Sequence, residues 1–108
     1  MVQKVGNFCL KNNGGFVVKL QFVYWDDNGN KVHVDGTAGY DVLQTECRTP
    51  GQSGVPDGSL VSLYAFVVWG SDNTANQIFI YDSSSTVTAN YTISGTTLNN
   101  DLVLNSVQ

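Results

Sequence analysis

Hydrophobic and polar residues alternate most strictly over Phe16–Trp25, FVVKLQFVYW. Phe16, Val18, Leu20, Phe22 and Tyr24 share one parity, while Val17, Lys19, Gln21, Val23 and Trp25 share the other. Successive side chains of a strand point to opposite faces, so this spacing predicts a long strand with one wholly apolar side. The run breaks at Asp26–Asn30, DDNGN, and a period of two resumes over Lys31–Asp35. Asn-Gly supplies the positive φ that a tight turn needs, so the stretch is expected to be a β-hairpin with Gly29 at its tip.

The same pattern predicts the other elements. Val5–Leu10 reads as a first strand, turned by Asn12–Gly15, and Tyr40–Glu46 as a fourth. Leu60–Trp69, LVSLYAFVVW, is apolar at nearly every position, as expected of a central strand covered on both faces. Gln77–Tyr81 follows, then Thr86–Ile93, whose alternation turns Val87, Ala89, Tyr91 and Ile93 inward, and a last strand within Thr97–Leu104. The longest irregular connection is Arg48–Ser59, which holds both prolines. About eight short strands divided by Gly, Asn, Ser and Pro turns predict an all-β fold, an antiparallel β-sandwich forming a single domain over residues 1–108. Its expected core is Phe16, Val18, Leu20, Phe22, Tyr64, Phe66, Val87, Tyr91 and Ile93.

Composition narrows the functional classes. Hydrophobic residues make up 42% of the chain, enough for one two-layer core, whereas charged residues make up only 13%, about half the usual share. The net charge is −4, and the five cations are scattered at Lys4, Lys11, Lys19, Lys31 and Arg48. Displacing counterions from nucleic acid needs clustered cations, so no nucleic-acid partner is expected. Met1–Leu10 lacks the apolar run of a signal peptide, and Leu60–Trp69 is too short for a spanning helix. A cytoplasmic location, or secretion by another route, is the expectation. Cys9 and Cys47 would enclose a long loop if bridged; without a leader, buried free thiols are the expected state.

One internal echo carries chemistry. Phe22–Asn28, FVYWDDN, is similar to Phe66–Asn73, FVVWGSDN: each is the end of an apolar strand closed by Trp and followed by a turn with Asp and Asn. An indole face beside Asp and Asn offers a flat apolar plate for a sugar ring and fixed partners for its hydroxyls. Trp25, Asp26, Asn28, Trp69, Asp72 and Asn73 are therefore the candidate ligand-binding residues, and a small lectin-type carbohydrate-binding module with a glycan partner is the expected function. Both turns share one pole if the two long strands run the same way, and separate poles if they do not. The alternative is a membrane- or lipid-headgroup-binding β-sandwich of cytolysin type, with Trp25, Trp69, Phe79 and Tyr81 entering the interface. The third reading is a structural, homo-oligomerising domain whose aromatics bury against an identical chain. Whatever the function, a homodimer or larger is expected, pairing through the weakly charged face of Val17, Gln21 and Val23.

Catalysis and metal binding find little. Asp26, Asn28 and Asn30 are spaced like the start of a calcium loop, but Lys31 stands where Gly is needed and Thr37 where a bidentate Glu would be. His33 is the single histidine, on the outward parity of its strand, so no zinc cluster forms around it. Gly51-Gln52-Ser53-Gly54 lacks the spacing of a nucleophile elbow. A non-enzymatic protein without cofactor or metal is expected.

Overall fold

The computed structural model describes residues 2–108, which form ten strands and one 3-10 turn. The strands are β1 (Lys4–Val5), β2 (Asn7–Gly14), β3 (Val18–Trp25), β4 (Lys31–Val34), β5 (Thr45–Arg48), β6 (Leu60–Val67), β7 (Asn73–Thr74), β8 (Phe79–Tyr81), β9 (Thr88–Gly95) and β10 (Asn100–Val107). They make two sheets. The first runs β1-β8-β6-β3-β4, with β7 added beside β6; the second runs β10-β9-β2-β5.

The all-β expectation holds, but the purely antiparallel, eight-strand version needs correcting. β2 lies parallel to β9 along its whole length, from Asn7 opposite Thr88 to Gly14 opposite Gly95, and β1 lies parallel to β8. Both parallel pairs follow from a sheet switch at Gly6. The chain leaves the first sheet after Val5 and enters the second at Asn7. A Cβ at Gly6 would collide with the Ser85 carbonyl, so the crossing needs glycine.

The alternation of Phe16–Trp25 is realised as read. Phe16, Val18, Leu20 and Phe22 are buried between the sheets, and Gly29 takes a φ of 79° at the hairpin tip. Phe8 sits at the centre of the core, edge-on to Phe22 and Phe79 at 5.3 and 5.9 Å and stacked on Tyr91 at 6.3 Å. Tyr91 and Ile93 are buried as expected, and Val87 is partly so. Tyr64 and Phe66 are not core residues. In β6 it is Val61, Leu63, Ala65 and Val67 that face inward, which places Tyr64 and Phe66 on the outer face of the first sheet. A strand apolar on both parities gives no sign of which parity faces the core.

That outer face is furnished by the chain itself. Lys19 lies over the Phe66 ring at 5.3 Å, His33 packs on Tyr64 at 4.1 Å between ring centres, and His33 Nε2 is 2.6 Å from Gln21 Oε1. Gln21 and Val23 are consequently buried, whereas Val17, the third residue of the face expected to pair with a second copy, is half-buried. His33 is a surface residue as expected, though tied to its neighbours rather than merely solvated.

Three further expectations change. The strand expected over Tyr40–Glu46 is β5, which begins only at Thr45, and Tyr40 contributes only an isolated bridge to Val18. The first long strand continues through Asn12 to Gly14, because the fully buried Asn12 is satisfied there: its Nδ2 donates to the carbonyls of Phe16 (2.6 Å) and Tyr40 (3.2 Å), and its Oδ1 accepts from the Gly14 amide (3.0 Å). Cys9 and Cys47 are not free thiols. They face each other across β2 and β5, with Cα atoms 4.0 Å apart, and form a disulfide.

Candidate functional site

β3 and β6 pair antiparallel, Trp25 opposite Leu60 and Val18 opposite Val67. The two Trp-containing turns therefore lie at opposite poles, and the six candidate residues fall into two groups of three.

At the first pole the hairpin turn meets the irregular connection. A cleft of about 670 Å³ is lined by Tyr24, Trp25, Asp26 and Asp27 on one side and by Asp57, Ser59 and Leu60 on the other. The turn is held by its own side chain: Asp26 Oδ1 accepts from the amides of Asn28 (3.0 Å) and Asn30 (2.8 Å), and Oδ2 from Asn30 Nδ2 (3.4 Å). Asp26 is thus occupied in shaping the turn. Asp57 in turn accepts the Ser83 amide at 2.7 Å. Arg48–Ser59, expected to be wholly irregular, contains the 3-10 turn Pro50–Ser53, braced by Arg48 Nε donating to Ser53 Oγ at 2.6 Å.

The second pole gathers the ends of β2, β4, β6 and β9 with the starts of β3, β5 and β10. Trp69, two residues past the end of β6, is 94% exposed. Its loop is stitched to the β9–β10 connection: the Ser71 amide donates to the Thr97 carbonyl (2.8 Å), and Asn100 Nδ2 to the Ser71 carbonyl (2.7 Å). A Cβ at Gly70 would strike that Thr97 carbonyl, so this approach also needs glycine. Leu98, 75% exposed, stands on the same connection. The β4–β5 loop brings a third large apolar side chain to this end, Leu43, 69% exposed, whose amide donates to the Asn12 carbonyl at 2.6 Å. Val42 beside it is also exposed.

Backbone conformation marks the same residues. Among the described residues, the non-glycine residues at positive φ are Leu43 (71°) and Trp69 (62°). Such conformations cost on the order of 1–3 kcal/mol each and persist only where the surroundings impose them. Here both hold a large apolar side chain out in water.

Asp72 and Asn73 serve the loop. Asp72 Oδ2 accepts the Tyr64 hydroxyl (2.5 Å), Asp72 Oδ1 the Val67 amide (3.0 Å), and Asn73 Nδ2 donates to Asn100 Oδ1 (2.9 Å). Partial burial, and then the Asp72 carboxylate, push the Tyr64 phenol up to about 12. Of the aromatics expected at a lipid interface, Phe79 and Tyr81 are buried in the core and Trp25 is half-buried at the other pole, which leaves Trp69. Leu43 and Leu98 were not foreseen. Their signal is a lone large aliphatic inside a polar loop, as in Gly95–Asn100, GTTLNN.

No protein-family model matches the chain, and no curated protein does. Solved structures share its fold. Intermedilysin, as a disulfide-locked mutant with human CD59, is 13% identical, with a TM-score of 0.54 over 95% of this chain and 24% of its own. Listeriolysin O is 16% identical, with a TM-score of 0.52 over 93% of this chain and 22% of its own. Intermedilysin alone, described as a human-specific toxin, is 14% identical, with a TM-score of 0.50 over 95% of this chain and 23% of its own. The chain thus spans less than a quarter of the length of each, and the likeness is one of fold.

Proposed function

We propose that this chain is a non-catalytic module that attaches to a membrane surface, with Trp69, Leu98 and Leu43 entering the lipid interface. The observation that carries this reading is that three strongly exposed apolar side chains stand on loops at one pole. Clustered exposed apolar residues mark binding surfaces, and Trp is favoured where an apolar ring meets a wet boundary. Sharing its fold with part of intermedilysin, a toxin, and of listeriolysin O supports the same reading. So does the disulfide, because such bonds persist in oxidising surroundings such as the cell exterior.

The glycan reading has less behind it. The two tryptophans stand at opposite poles, so Trp25, Asp26 and Asn28 cannot join Trp69, Asp72 and Asn73 in one site. Asp26, Asp72 and Asn73 also spend hydrogen bonds on their own loops.

Sedimentation with vesicles of phosphatidylcholine alone, with phosphatidylserine, and with cholesterol tests the proposal. Binding with a blue shift of Trp emission is expected in at least one composition, and Trp69→Ala should weaken it. Because the chain carries a net charge of −4, the anionic lipid should not strengthen binding. No binding to any composition, or a Trp69→Ala variant that binds as well as the parent, would overturn the reading.

A further inference from the structure

The Trp69 loop is closed from beneath by one carboxylate. Asp72 returns across the turn so that Oδ1 accepts the Val67 amide, the last of β6, while Oδ2 accepts the hydroxyl of Tyr64, three residues earlier on that strand. Trp69 lies between these anchors at a φ of 62°, and the Gly70 amide donates back to the Val67 carbonyl at 3.1 Å. Tyr64 cannot swing away freely, since His33 of β4 packs on its ring and is itself tied to Gln21 of β3. The chain His33–Tyr64–Asp72 thus links the outer face of the first sheet to the segment that presents Trp69.

We infer that Asp72 and Tyr64 are positioning residues that hold Trp69 in its outward, positive-φ conformation ready for lipid. This rests on the membrane-surface reading above and assigns a role within that site. The physical reason is a population argument. A loop whose key residue occupies a sparsely populated backbone region needs a restraint to stay there, and apparent affinity falls in proportion to the fraction of molecules in the competent form. A hydrogen bond to a charged acceptor is the strong kind suited to that task. Tyr64 is also free for the role, because its ring lies outside the core and, among the described residues, its hydroxyl serves no other partner.

The test uses a Trp25→Phe parent of the full chain, so that emission reports Trp69 alone. Tyr64→Phe removes only the hydroxyl and keeps the ring on which His33 packs; Asp72→Asn keeps the shape and removes the charge. Both are compared with the parent for vesicle affinity and for quenching of Trp69 by brominated lipid, at a temperature where melting curves show all three folded. The expected result is an affinity loss of about tenfold for Tyr64→Phe, the signature of a competent form reduced to about one molecule in ten. Acrylamide should then quench Trp69 differently in the lipid-free protein, a change that mere loss of stability would not produce. Parent-like affinity and quenching in both variants would overturn the inference while leaving the membrane reading intact. Failure of the parent itself to bind vesicles would instead remove the membrane reading, and this inference with it.

Discussion

Leu98→Ala separates the proposed lipid contact from the fold. Leu98 is 75% exposed on the β9–β10 connection, whose turn is held by Thr96 and Asn99 rather than by the leucine: the Thr96 amide donates to the Asn99 carbonyl at 3.0 Å, and the Asn99 amide to Thr96 Oγ1 at 3.2 Å. Truncation to Ala removes three carbons, worth roughly 2.4 kcal/mol of full burial at about 0.8 kcal/mol per carbon. Scaling by the surface still open to lipid leaves about 1.8 kcal/mol, or about twentyfold in affinity. The folded protein should scarcely notice, since exposed substitutions away from special features stay within about 0.5 kcal/mol. Vesicle titration followed by Trp emission gives the affinity, and thermal melting gives the stability. Leu60→Ala is the matched control, because Leu60 is also exposed but lines the cleft at the opposite pole. An affinity change below twofold in Leu98→Ala, or an equal loss in Leu60→Ala, would refute the assignment of the lipid-facing end.

Three other outcomes follow from the fold. Phe22→Ala empties a fully buried site beside Phe8 and should cost about 3–5 kcal/mol, read from denaturant midpoints; a loss below 1 kcal/mol would contradict the packing. Replacing Cys9 and Cys47 by Ser opens a bridge with a sequence separation of 38, and chain entropy puts the loss at about 4 kcal/mol, roughly 15–30 °C of melting temperature. An unchanged melting temperature would show that the bridge does not stabilise the fold. Burial raises the phenols of Tyr40, Tyr64 and Tyr91 above 10.0, so their neutral forms contribute stability that is complete below pH 10 and lost as the pH climbs, through about 12 for Tyr64. Alkaline titration should therefore show delayed phenolate absorbance coupled to loss of structure; phenols that ionise at their ordinary value with the fold intact would refute it.

What could be read from the sequence divides along physical lines. β3 was readable because its two parities differ in polarity, and Gly29 because few residues tolerate its φ. β6 was readable as a strand but not in its facing, which is why Tyr64 and Phe66 were assigned inward. The parallel partnership of β2 and β9 joins segments about 80 residues apart, and nothing local to either announces the other. The disulfide depended on that same assembly, since Cys47 meets Cys9 only once β5 lies beside β2. Trp69 was picked out by its position after an apolar run. Its companions Leu43 and Leu98 were not, because their grouping exists only after the loops are brought to one end.

The two ends of the sandwich differ in the large apolar side chains that they expose, and under the membrane-surface reading proposed above this difference would set an orientation. The loops of one pole offer Trp69, Leu98, Leu43 and Val42 to solvent. The other carries Asp26, Asp27 and Asp57 around the Trp25 cleft, with Asp82 and Lys4 in an adjoining depression beside Asp57. Hydrogen bonds to Ser84 lower the pKa of Asp82, so its carboxylate stays ionised at neutral pH. Under the membrane-surface reading proposed above, taking these carboxylates into a lipid interface would cost far more than the apolar contacts of one cleft could return, which favours leaving this end in water. The connecting strands β3 and β6 are eight residues each, and at about 3.3 Å per residue they set the Asp-bearing end roughly 26 Å away from the Trp69 loops. Because β3 and β6 run antiparallel, the similar Trp turns that end them were bound to be sent to opposite poles. The resemblance between FVYWDDN and FVVWGSDN therefore conceals different settings: one turn holds an exposed Trp, which under the membrane-surface reading proposed above would meet lipid, and the other lines a cleft at the opposite pole.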